Sequence, residues 1–125
     1  MYENLELYID GKFSQGSTGK AQDVLNPATH KVLAAVPHAS TADLDRALAA
    51  AEKGYQAWRK VSAYDRAKII RKAADIMRSR LETMAQTLTQ EQGKPIAEAR
   101  MEIAVSCDVV EWYADEGRRA YGRII

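Results

Sequence analysis

Residues 87–122 read TLTQEQGKPIAEARMEIAVSCDVVEWYADEGRRAYG, a run holding the sharpest turn signal and the longest apolar helix of the chain. Gly93 suits the left-handed position that closes one helix, and Pro95 suits the first turn of the next. Two long helices therefore meet at Gln92, Gly93 and Lys94. From Pro95 onward Ile96, Ala99, Ile103, Cys107, Val110 and Ala114 follow steps of three and four, one stripe of an α-helix. A second stripe, Met101, Val105, Val109, Trp112 and Tyr113, lies beside it. A helix apolar over so much of its circumference needs neighbours on more than one side.

Working outward, the 125 residues with 46% hydrophobic content suit one ordinary domain and exclude a disordered tail. Lysine and arginine number 18 against 17 acids, interleaved, for a formal charge of +1. That balance gives no reason to expect nucleic acid or an anionic membrane as partner. The N-terminus lacks the basic and apolar regions of a secretion signal, and no run approaches the ~20 apolar residues of a membrane span. With a single cysteine, Cys107, the expectation is a soluble protein of the reducing cytoplasm without an internal disulfide.

Toward the N-terminus, Leu7 to Phe13 has β-rich residues, and Asp10-Gly11 is a strong hairpin signal. Residues 14–20 form a polar, glycine-rich connection, and residues 21–36 are extended around Asn26-Pro27 and Val32-Leu33. Ser40 is a natural N-cap, with Asp43 in the place of a capping-box acid. The spacing predicts a helix from about Thr41 to Lys60 with Leu44, Ala47, Leu48, Ala51, Tyr55 and Trp58 on one face. Ser62 and Asp65 repeat the device and open a second helix that runs to about Gln92 along Ile70, Ala73, Met77, Leu81, Met84 and Leu88. Its charged residues Arg71, Lys72, Arg78, Arg80 and Glu82 read as a solvated face. The third helix, aided by an Asp115–Arg119 pair, is expected to reach Tyr121 and stop at Gly122. The fold class is thus an α+β segment, an N-terminal β-hairpin followed by three long α-helices.

Few residues suggest chemistry. Cys107 lies on the main apolar stripe, far in sequence from His30 and His38, and reads as a buried structural cysteine. One cysteine and two histidines match no metal-ligand spacing. Gly16-Ser17-Thr18-Gly19-Lys20 fails as a phosphate loop because Ala21 follows the lysine and Ser14 occupies the first glycine position. Gly93-Lys94-Pro95 fails likewise, and no G-x-G-x-x-G exists. Glu98 and Glu102, one turn apart, read as solvated acids. Glu91 stands at a helix end, where exposed carbonyls collect partial negative charge, and a carboxylate there with backbone oxygens could hold a hard cation. An ordinary surface acid is the plainer reading.

Taken as a set, Asn26-Pro27, Ala57-Trp58-Arg59, Glu91-Gln92-Gly93-Lys94-Pro95, Ala97-Glu98-Ala99, Glu111-Trp112-Tyr113-Ala114, Glu116-Gly117 and Tyr121-Gly122 resemble the beginning of an NAD(P)-dependent aldehyde dehydrogenase. The likeness is nearest to the succinate-semialdehyde dehydrogenase branch and is colinear from Leu7 to Ile125. It implies an α/β fold with a Rossmann-like cofactor domain. Residues 1–39 would belong to the oligomerisation part, and residues 40–125 to the helical N-terminal part of the cofactor domain. It also implies oxidation of a small aldehyde such as succinate semialdehyde by a cysteine thiolate, hydride transfer to NAD or NADP, and thioester hydrolysis by glutamate-activated water.

The family's Pro-Trp-Asn-Phe-Pro segment, cofactor lysine, base glutamate and nucleophilic cysteine would all lie beyond Ile125. These residues are therefore expected to form an inactive fragment that holds no cofactor, with no catalytic or cofactor-binding residue of its own. Its partner would be the remainder of the polypeptide, in a dimer or tetramer. The resemblance further implies a monovalent cation site from the backbone oxygens of Val24 and Leu25 and the carboxylate of Glu91, with another ligand from beyond Ile125. The competing reading is a stand-alone helical protein-interaction module. A fragment should expose the stripe around Met101, Val105, Val109 and Trp112, whereas a module should be compact.

Overall fold

A computed structural model of the chain describes residues 5–122. They form two compact units, one reaching up to Lys60 and including Gln90–Gly93, the other comprising Val61–Thr89 and the chain from Lys94 on.

The first unit begins with β1 (Leu7–Ile9) and β2 (Lys12–Ser14), an antiparallel hairpin pairing Leu7 with Ser14 and Ile9 with Lys12. Asp10 and Gly11 both take positive φ, 50° and 77°, as a two-residue turn matched to strand twist requires. A second hairpin pairs β3 (Ala21–Leu25) with β4 (Val32–Pro37), and its register shifts between Val24 and Leu25. At the tip, Asn26 Oδ1 accepts from the N–H groups of Ala28 and Thr29, 2.9 and 3.1 Å away, which folds the Asn-Pro turn locally.

Helix α1 (Thr41–Trp58) then starts at a full capping box built by Ser40 and Asp43. It meets β1, but the expected core face does not hold. Leu44, Leu48 and Tyr55 are more than half exposed, so periodicity marked a face that asks for cover rather than one already covered.

Among the described residues the helices number four rather than the expected three. The long second helix divides into α2 (Ala63–Ser79) and α3 (Leu81–Gln92). Ser79 Oγ donates to the Ile76 carbonyl at 2.8 Å, and Arg80, at φ −109° and ψ 11°, turns its N–H to the Met77 carbonyl three residues back. The hydroxyl competes for a helix carbonyl while the last turn tightens, and the axis breaks.

Helix α4 (Ile96–Glu116) follows Gly93, whose φ of 79° confirms the left-handed closure of α3. It ends five residues earlier than expected. Asp115 pairs with Arg71 of α2 rather than Arg119, and tighter i→i+3 bonds from Arg118 and Arg119 end the helix. The apolar pair Ile124-Ile125, whose composition would suit the start of a strand, lies outside the described residues.

The α2–α4 pair is this unit's core. Small residues let the axes approach: Ala67 and Ala74 on α2, and Ala99, Cys107 and Ala114 on α4, are all buried. Polar ties frame the contact. Arg78 donates to Asp108 and Glu111 at 2.8 and 2.9 Å. Arg100 forks onto Glu82 through two bonds of 2.8 Å and holds that carboxyl down at about 2.

Candidate functional site

The residues carrying possible chemistry are few and separate. Cys107 is fully buried on the α4 face that packs among small residues, as expected for a structural thiol. Glu102 pairs with Lys94, which removes any acid/base partnership with Glu98. Among the described residues no three histidine, cysteine, aspartate or glutamate side chains gather as a metal cluster. A groove of about 490 Å³ between the first hairpin and α1 is lined by Ile9, Phe13, Ala49 and Ala50 with Asp10, Lys12, Arg46 and Lys53. Arg46 and Lys53 are already committed to Asp43 and Asp10.

Val24, Leu25 and Glu91 all fall within the first unit. Val24 and Leu25 end β3 at the register shift. Glu91 lies in the last turn of α3, two residues before Gly93. A Cβ placed on Gly93 would stand 3.0 Å from Pro27 Cγ, so the end of α3 rests against the turn that follows Leu25. Two backbone carbonyls and a carboxylate are an all-oxygen set of the kind that suits a hard cation.

The most organised polar site was only half visible in the sequence. The fully buried carboxylate of Asp43 accepts from the Ser17 and Ser40 backbone N–H groups at 3.0 and 2.9 Å and from both serine hydroxyls at 2.9 Å. Arg46 binds its other oxygen. The backbone N–H bonds, that of Ser17 foremost, hold its pKa far below the usual carboxylate range. Its bonds to Ser17 tie the 14–20 loop to the start of α1, which makes it a structural anchor.

On α4 the second stripe is open to solvent. Met101 is 67% exposed and Trp112 64%, with Val105 and Val109 about half exposed between them.

The aldehyde dehydrogenase family model matches residues 13–125. The chain belongs to the aldehyde dehydrogenase family. It is 39% identical over 120 residues to a glutarate-semialdehyde dehydrogenase of Pseudomonas putida, covering 96% of this chain and 25% of that protein. The crystal structure of an E. coli NADP-dependent enzyme superposes at TM-score 0.94 with 37% identity, covering 98% of this chain and 25% of the other. That of succinate-semialdehyde dehydrogenase from Burkholderia pseudomallei gives TM-score 0.93 with 36% identity and the same coverages. The chain spans about a quarter of the length of the relatives it matches. The dehydrogenase resemblance is thus established at family level, and the stand-alone module is not favoured. Among the described residues no helix is long and apolar enough to cross a membrane.

Proposed function

We propose that these residues are the N-terminal quarter of a cytoplasmic, oligomeric NAD(P)-dependent aldehyde dehydrogenase that oxidises succinate semialdehyde or a similar small aldehyde to its carboxylate. The observation that carries this is the family match over residues 13–125, joined by close backbone agreement with the succinate-semialdehyde dehydrogenase structure. Residues 1–39 are assigned to the oligomerisation part and residues 40–125 to the cofactor domain. The cofactor supplies the hydride acceptor; this chain contributes packing rather than a nucleophile, because its one thiol is sealed in the α2–α4 core.

Two measurements test the reading. Grafted in place of the matching quarter of the Pseudomonas putida enzyme, residues 1–125 should support NAD(P)-dependent aldehyde oxidation, while the chain alone should show none. A folded but inert graft, or oxidation by the chain alone, would count against it.

The same reading includes a monovalent cation held by the Val24 and Leu25 carbonyls and Glu91. Potassium should raise the melting temperature of the grafted enzyme relative to tetramethylammonium at equal ionic strength, and Glu91→Gln should abolish the difference. Equal melting in both salts would remove the site from the proposal.

A further inference from the structure

Helix α4 presents two different surfaces. One is spent inside its own unit, where Ala99, Cys107 and Ala114 are buried and Arg71 and Arg78 of α2 reach Asp115, Asp108 and Glu111. The other carries Met101, Val105, Val109 and Trp112 in steps of four, four and three, with Tyr113 beside Trp112, all largely in water. At 1.5 Å per residue the stripe is about 16 Å long. Glu98 and Glu116 continue the same face beyond its two ends, three and four residues out.

Contiguous apolar side chains edged by charge mark a surface made to be covered. The relatives indicate the cover. In the E. coli NADP-dependent enzyme and the Burkholderia pseudomallei succinate-semialdehyde dehydrogenase this backbone recurs at TM-score 0.94 and 0.93, each time as a quarter of a longer chain. The ties to α2 fix the helix without help from further chain, so the face is present before its partner arrives, which lowers the ordering cost of association.

We infer that the Met101–Val105–Val109–Trp112 face docks onto the other three-quarters of an aldehyde dehydrogenase, and that it does so even when the two parts are separate polypeptides. The inference rests on the dehydrogenase reading above. The partner surface it requires is apolar over about 16 Å of helix length, with polar or basic groups positioned for Glu98 and Glu116. A second copy of this chain fits less well, because antiparallel pairing that sets Val105 against Val109 also sets Glu98 against Glu116.

The test is co-expression of the affinity-tagged 125-residue chain with the part of the Pseudomonas putida enzyme that it does not match. The wild-type chain should carry that part into the soluble fraction and co-purify with it one to one. Val105→Glu with Val109→Glu should reduce recovery by at least about tenfold, since each would bury an unpaired carboxylate in the joint. Both positions are exposed in the chain itself, so circular dichroism of the double variant should be unchanged.

Three results would overturn the inference: an insoluble partner in the presence of wild-type chain, a soluble partner that does not co-purify, or equal recovery with both chains. A wild-type chain that instead forms homodimers broken by the double substitution would identify a second copy as the occupant and overturn it too. The covalent graft separates the two levels. An active graft with failed docking in trans sinks only this inference, whereas an inert graft sinks the dehydrogenase reading.

Discussion

Asp43→Ala should be among the most destabilising single truncations in the first unit, lowering the melting temperature by roughly 10 °C. The carboxylate is fully buried and accepts four hydrogen bonds on one oxygen, from the backbone and hydroxyl of Ser17 and of Ser40, with Arg46 on the other. Truncation strands the Ser17 and Ser40 N–H groups away from water, and a stranded buried donor bears its full desolvation penalty. It also breaks the capping box of α1 and releases the 14–20 loop together. Asp43→Asn should be milder, since an amide oxygen can still face the serines while its NH2 replaces the acceptor that Arg46 needs. If Asp43→Ala melts within 2 or 3 °C of wild type, roughly the scatter expected of a surface change, the anchor has been misread.

The same carboxylate sets an acid limit. Its pKa is lowered on folding, so its contribution is complete above the unfolded value of about 3.9. Below that value the unfolded state takes up the proton first, and the contribution fades as pH falls toward the depressed folded value. Glu82, held at about 2 by Arg100, and Asp115, lowered by Arg71, act in the same direction. Stability should therefore be flat from neutrality to about pH 5 and fall steeply below about pH 4. Asp43→Asn should fall less steeply, which acid titration followed by circular dichroism would reveal.

How much of this was legible follows from the range of each interaction. Asp10-Gly11, the Ser40–Asp43 box and the left-handed Gly93 are local, and the residues sit within a few positions of the backbone they control. The grip of Asp43 on Ser17 spans 26 positions and had no sequence signal. Arg71, Arg78 and Glu82 read as a solvated face because charge on a helix looks the same whether or not another helix supplies the counter-charge. The break at Arg80 turned on one serine hydroxyl finding a carbonyl, which periodicity averages away. Leu44, Leu48 and Tyr55 on α1 carry the converse lesson. A periodic apolar face states that cover is required, not which residues supply it. Glu91 was legible as a carboxylate at a helix end, whereas Val24 and Leu25 entered only through family likeness, since backbone oxygens leave no mark in a sequence.

Gly93→Ala should destabilise the chain by about 2 kcal/mol, through two causes that can be separated. The first is conformational. At φ 79° the residue is left-handed, and a Cβ there costs about 1 kcal/mol or more. The second is steric. The new Cβ would sit 3.0 Å from Pro27 Cγ, so the proline ring or the end of α3 must give way. Pro27→Ala in the same background removes the ring contact but leaves the backbone cost. A double-mutant cycle should therefore return a coupling of about 1 kcal/mol between the two positions. Gly93→Asn, which tolerates the left-handed region but keeps the Cβ, should fall between. Because this contact holds the α3 terminus against the turn that follows Leu25, Gly93→Ala should also weaken the potassium-dependent rise in melting temperature of the grafted enzyme, although Glu91 is untouched. A Gly93→Ala chain as stable as wild type would show that the α3 terminus is free to shift and that the contact with Pro27 positions nothing. Loss of stability with no coupling to Pro27 would leave the backbone conformation as the only cause.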